Sequence, residues 1–125
     1  MQSKSNNPCY YEYYSDNDIL DIYRVKDYKY KTSLELEEGV ILDIDKDNTP
    51  VSLEILDASE IFKIKNKDLL SNIQELDMRI EVTEEVIRVD VDLSFNSTKE
   101  RTSSLKSIIL NSIKVPVMQT NLVSS

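Results

Sequence analysis

Four oxygen-bearing side chains within residues 43–54, DIDKDNTPVSLE, stand at spacings that could coordinate a hard cation. Asp43, Asp45, Asp47 and Glu54 fall on positions one, three, five and twelve of the EF-hand calcium loop, where that template places carboxylate or amide oxygens. The context opposes that chemistry. An EF-hand loop joins two helices and turns on a glycine at position six; here Asn48 holds that place, Pro50 follows, and the flanking residues alternate like strands. Alternation alone produces the spacing, because outward residues of a strand recur every second position. The segment reads first as an acidic turn between strands. A divalent-cation site, or a metal-dependent hydrolytic domain using the same carboxylates, is the alternative.

Other chemistries are bounded by what the chain lacks. It contains no histidine, which removes Ser-His-Asp and Cys-His catalysis and His-ligated zinc. Cys9 is the single cysteine, so an intrachain disulfide and a Cys-rich metal cluster are excluded, and a reduced thiol near a mobile end is expected. Gly39 is the single glycine, whereas phosphate-cradling loops and dinucleotide fingerprints need several. Catalysis would have to rest on carboxylates, Lys, Tyr or Ser. The expectation is a non-catalytic protein without a cofactor.

The net charge of −8 is confined to one segment. Residues 1–32 carry five basic and five acidic side chains, and residues 61–125 carry nine of each. Residues 33–60 carry nine acids against Lys46 alone. Such a field repels nucleic acid phosphate and favours a basic protein or a divalent cation. Seven tyrosines between Tyr10 and Tyr30, with Lys26, Lys29 and Lys31 among them, could form a base-stacking strip. Tyrosine is also an ordinary strand residue, so packing is the expected role, and any exposed rings would suit a protein interface.

The elements that must position these residues are mostly strands. In MRIEVTEEVIRVDVDLSF, Met78, Ile80 and Val82, then Ile87, Val89, Val91, Leu93 and Phe95, alternate with polar residues, giving two strands with Thr83 to Val86 as the turn. Val40, Leu42 and Ile44 precede the acidic loop, and Val51, Leu53 and Ile55 follow it, a hairpin pattern with Asp47, Asn48 and Pro50 at the tip. ILDIYRV (19–25) and SLELE (33–37) give two more strands, the second ending at Gly39, where a positive φ is expected. Helix is confined to the middle: Asp57 with Glu60 forms a capping-box pattern before ASEIFKI, and Asn66 can cap KDLLSNI. NSTKERTSS (96–104) is a polar connection containing the glycosylation triplet Asn96-Ser97-Thr98; LKSIIL is a strand, and NSIKVPVMQTNLVSS an extended tail with Pro116 at an edge or outside the sheet.

Tyr13, then Asp18-Ile19-Leu20 leading to Ile22, Gly39-Val40-Ile41-Leu42-Asp43-Ile44-Asp45, and Glu54-Ile55-Leu56-Asp57-Ala58-Ser59 make a recognisable set. On these residues, segment 13–59 resembles a small prokaryotic family known as domain of unknown function 2283. The chain departs from the pattern at Tyr14, where an Asp is usual, and at Asn48 and Ser52, where glycines are usual. The remainder is similar to a C-terminal extension of archaeal members. The resemblance implies a small β-rich fold, no established activity, and, by analogy with some members, an antitoxin-like role.

These readings converge on one α+β domain over residues 1–125. It is mostly antiparallel β-sheet in hairpins or a meander, with one or two short helices in the middle of the chain. Residues 13–59 would form the family-like core, and residues 60–125 the short helices, a further hairpin and the tail. The expected function is a protein-binding module using an acidic hairpin or sheet edge, with Glu35, Glu37, Asp43, Asp45, Asp47 and Glu54 as interaction candidates. Its partner would be a basic protein or a second copy in a homodimer, with no direct nucleic acid and no membrane. No apolar run reaches the roughly 20 residues needed to span a bilayer, and the N-terminal stretch lacks the apolar centre of a signal peptide, so a cytoplasmic protein is expected.

Overall fold

Alternation of apolar and polar residues sorts the chain into strands with one dry face, and two such faces close on each other. A computed structural model describes residues 7–95 and 101–124; the Asn96-Ser97-Thr98 triplet lies outside the described residues. The elements are β1 (Asn7–Pro8), β2 (Tyr10–Tyr14), β3 (Ile19–Tyr23), β4 (Tyr30–Glu37), β5 (Val40–Asp45), β6 (Pro50–Ile55), α1 (Ala58–Ile61), a 3-10 turn (Lys67–Ser71), β7 (Ile73–Val82), β8 (Val86–Phe95), β9 (Arg101–Leu110) and β10 (Met118–Ser124). Strand order is β2-β3-β6-β5-β4 in an N-terminal sheet and β1-β10-β7-β8-β9 in a C-terminal sheet. Among the described residues every pairing is antiparallel except β1 with β10. The class expected from the sequence therefore holds: mostly antiparallel sheet, with two short helical segments in the middle.

The inward residues of both sheets form one apolar cluster. Leu20, Ile22, Leu42, Leu53 and Ile55 from one side and Leu76, Met78, Ile80, Ile87 and Leu93 from the other are essentially inaccessible. Burying each such side chain contributes about 1.5–3 kcal/mol, so this shared layer is what joins the sheets. The β7–β8 hairpin follows the expected register, with Ile80 opposite Val89 and Val82 opposite Ile87, and Thr83 and Val86 closing the turn.

The N-terminal sheet is not a simple meander. Strands β4, β5 and β6 follow one another by hairpins, but β6 returns to lie beside β3, a Greek-key order. Gly39 makes the β4–β5 turn at φ +82°, and a Cβ there would sit 3.4 Å from the Leu56 carbonyl oxygen. Asn48 turns the β5–β6 hairpin at φ 62°, which its short polar side chain tolerates.

Several local readings are corrected. Asp57 adopts a left-handed conformation, φ 51°, and makes no side-chain cap to α1. The cap comes instead from a residue distant in sequence: the Asp18 carbonyl accepts from Ala58 N at 2.9 Å, and its carboxylate accepts from Ser59 N at 3.1 Å and Ser59 Oγ at 2.7 Å. The acceptor thus stands in the β2–β3 turn, immediately before β3, rather than on the helix's own flank. Asn66 does cap the 3-10 turn, accepting from Asp68 N. The polar connection is shorter than expected, since β9 already begins at Arg101. Met118–Ser124 are not a tail but strand β10, seated between β1 and β7, with Pro116 outside it. Cys9 is buried rather than mobile: its N–H donates to the Val123 carbonyl at 3.0 Å, and burial, followed by the nearby Asp77, pushes its thiol up to about 11.

Candidate functional site

The outer face of the N-terminal sheet carries residues that the dry face does not need. Register places Glu12 opposite Asp21, Asp21 opposite Glu54, and Glu54 opposite Ile41. Three carboxylates thus lie abreast on three neighbouring strands spaced about 4.8 Å apart. The adjoining row runs Tyr10, Tyr23, Ser52, Asp43, Ser33. In it the Tyr10 and Tyr23 rings are tilted at 35° with centroids 5.8 Å apart. The loop after β3 lays Tyr28 over this row, where its hydroxyl donates to Asp43 at 2.8 Å and lies 3.3 Å from Ser52 Oγ.

An open pocket of about 190 Å³ lies where the two rows meet, bounded by Glu12, Tyr14, Asp21, Tyr23, Tyr28 and Ser52 and by Val25 and Lys26 of the loop. Asp21 is its charged floor. Burial, then repulsion from Glu54, Glu12 and Asp43, pushes the Asp21 carboxyl up to about 6, against a partial offset from Lys26. Lys26 reaches in from the loop: its ammonium bonds Glu12 at 3.1 Å and stands 5.2 Å from the Tyr23 ring centroid. Glu12 also accepts from the Tyr14 hydroxyl at 2.7 Å, and these bonds hold its carboxyl below the usual range. The face can therefore take up positive charge at a spot walled by aromatic rings.

The residues singled out by sequence are spread over this sheet rather than gathered. Asp43 stands on the outer face, accepting from Tyr28, from Ser33 Oγ at 2.7 Å and from Ser52. Asp45 closes its own turn by accepting from Asp47 N at 2.9 Å and Thr49 N at 3.0 Å. Asp47 is exposed at the hairpin tip. Glu35 accepts from Gly39 N, and Glu37 reaches the other sheet to accept from Ser107 Oγ at 2.7 Å. Only Glu54 enters the carboxylate row. Among the described residues no three Asp, Glu, Cys or His side chains are grouped to hold a metal ion. Glu12 and Asp21, the other members of the row, lie outside the acidic segment; the pairing of β3 with β6 brings Asp21 there, and no local signal announces it.

Tyr13 and Asp18 form a second polar cluster, at the base of the sheet. The Tyr13 hydroxyl donates to Asp18 at 2.6 Å, alongside the bonds from Ser59. Burial alone would raise the Asp18 carboxyl, but the bonds from Tyr13 and Ser59 outweigh it and hold it below the ordinary value. Every polar group here already has a partner, so the cluster is a lock between the β2–β3 turn and α1.

Fold and face together define a small two-sheet antiparallel β protein distinguished by an acidic, tyrosine-lined surface. Within that class the chain belongs to the family described as "Protein of unknown function (DUF2283)", whose model matches residues 11–59. That span is the N-terminal sheet up to the Ser59 end of the Asp18 lock. Two archaeal relatives extend the likeness into the C-terminal sheet. A Methanosarcina mazei protein named "Putative hypoxanthine phosphoribosyltransferase" is 39% identical over 108 residues, covering 86% of this chain and 85% of its own length. An uncharacterized protein of Methanocaldococcus jannaschii is 30% identical over 82 residues, covering 66% of this chain and 69% of its own. No solved structure matches. Among the described residues no helix is long and apolar enough to cross a membrane.

Proposed function

We propose that this protein is a non-catalytic binding module that presents the outer face of its N-terminal sheet to a basic protein. The observation that carries this reading is the Glu12–Asp21–Glu54 row, three carboxylates abreast with Lys26 as the adjacent cation. Like charges directly opposite on paired strands each cost about 0.2–1 kcal/mol, a cost that an opposite charge on a partner removes. Exposed Tyr10 and Tyr14 flank the row and supply the rigid aromatic area that protein interfaces favour. The name carried by the Methanosarcina mazei relative does not extend to this chain. A phosphorylated ribose would meet carboxylates on this face, and the single glycine, Gly39, is committed to the β4–β5 turn.

Affinity purification from the native host tests the reading. Full-length protein should retain a basic partner, and Asp21→Asn with Glu54→Gln should release it. Recovery of the same partners by both proteins would remove the acidic face from the function.

A further inference from the structure

The pocket beside Asp21 differs from a bare acidic patch because it has an aromatic wall and because a cation from the chain itself already reaches into it. Lys26 leaves β3 on an exposed loop, and its side chain turns back over the sheet. Its ammonium takes the two contacts that a basic side chain seeks on such a surface, a carboxylate at 3.1 Å and an aromatic face at 5.2 Å. Among the described residues its ion pair is with Glu12 and not with Asp21. Asp21, one strand further in, accepts no hydrogen bond among the described residues, and its carboxylate faces Glu12 on one side and Glu54 on the other. Tyr28, bonded to Asp43, and Ser52 close the far wall without neutralising it.

We infer that this pocket seats a single lysine side chain of a protein partner between Asp21 and the Tyr23 ring, and that Lys26 is a built-in competitor for that seat. The inference rests on the proposed binding role of the acidic face and narrows it to one side chain and one pocket. An incoming ammonium gains Asp21 and Glu12 as charge partners and Tyr23 as a cation–π face. Lys26 is displaced toward solvent, at little cost because its side chain is already 64% exposed. The elevated affinity of Asp21 for a proton is consistent with the same seat, since a proton and an ammonium relieve the same crowding.

The test uses the full chain and the peptide acetyl-Gly-Lys-Gly-amide, titrated by NMR while the Tyr23 ring and Asp21 carboxyl resonances are followed. The Nε-acetylated peptide serves as the uncharged control. Lys26→Ala should bind the lysine peptide roughly two- to five-fold more tightly than the parent, the range expected from one exposed cation–π contact. Lys46→Ala, which removes the same charge from the hairpin tip, should not. Tyr23→Leu and Asp21→Asn should each weaken binding, and the acetylated peptide should leave both resonances unmoved. Equal gains from Lys26→Ala and Lys46→Ala, or full binding by Tyr23→Leu, would overturn the seat and leave only diffuse attraction, with the acidic-face reading intact. If the peptide binds as expected while the native partner is retained by Asp21→Asn with Glu54→Gln, the seat stands and that broader reading fails.

Discussion

The outer faces of the two sheets solve the same problem in opposite ways. On the C-terminal sheet two arginines answer carboxylates across the strands, and although Asp77 stands opposite Asp92, Arg79 bonds Asp92. Arg88 bonds Glu81 at 2.8 Å, and Arg79 bonds Asp92 at 3.0 Å and approaches Asp90 at 3.8 Å. Asp92 also accepts from Ser104 Oγ at 2.6 Å, and these bonds hold its carboxyl below the usual range despite partial burial. On the N-terminal sheet the register instead sets Glu12, Asp21 and Glu54 side by side. One face interleaves arginines with its carboxylates, and the other sets three carboxylates abreast with Lys26 reaching only Glu12. Register sets carboxylates opposite one another on both sheets, Asp77 with Asp92 and Asp21 with Glu54, and the difference lies in whether an arginine stands on a neighbouring position to bond them.

The contrast can be broken most severely at the anchor beneath the acidic face. Asp18→Ala removes the acceptor of Tyr13 and Ser59 together and should destabilise the protein by about 2 kcal/mol in urea unfolding. A midpoint equal to the parent's would show that the lock contributes nothing to holding the sheet. Acidity is the next lever. Asp21 binds its proton more tightly folded than unfolded, so its contribution is fully present below the ordinary carboxylate value near 3.8 and is lost as pH rises through about 6. Stability should therefore fall by roughly 1–2 kcal/mol between pH 4 and 7, after allowing for solvent screening. Asp18 and Asp92, with depressed values, act in the opposite sense: what they contribute is present above the ordinary value and disappears as pH drops below it. Urea midpoints from pH 3 to 7 should pass through a maximum near pH 4–5, and Asp21→Asn should flatten the alkaline side.

A sharper comparison exchanges one atom on each face. At pH 7, Asp21→Asn should stabilise by about 1 kcal/mol, while Asp92→Asn should destabilise by about 0.5 kcal/mol, since the Arg79–Asp92 pair is part-exposed. Changes of the same sign in thermal melts would dissolve the distinction between the faces. The smallest effect is expected at Lys26→Ala, which should leave the unfolding midpoint where it was, because its ion pair with Glu12 is solvent-exposed.

Much of this architecture was legible one strand at a time. Alternation located β5, β6, β7 and β8 and their inward residues, because a period of two follows from the backbone whatever the neighbours are. It could not say that β6 returns to β3, so Asp21 gave no sign of belonging with Glu54. The cap on α1 is hidden for the same reason: the nearby Asp57 satisfies the local pattern, but the oxygens come from Asp18, which the β2–β3 turn brings alongside. β10 was hidden by its composition. Its inward residues are Thr120 and Leu122, and Thr120 is acceptable in the interior only because Asn7 Nδ2 donates to its hydroxyl at 3.1 Å.

Cys9 marks the point where the first stretch of chain passes from one sheet to the other, with β1 on one side and β2 on the other. That passage has a kinetic meaning. Asn7 pairs with Leu122, so the short β1–β10 ladder must close a loop that contains nearly the whole polypeptide, and closure that long is entropically slow. The hairpins close short loops, whereas this contact brings together the two ends of the described chain. Once made, it holds the strand that leads into the N-terminal sheet on the edge of the C-terminal sheet, a tie through hydrogen bonds and backbone that adds to the shared apolar core.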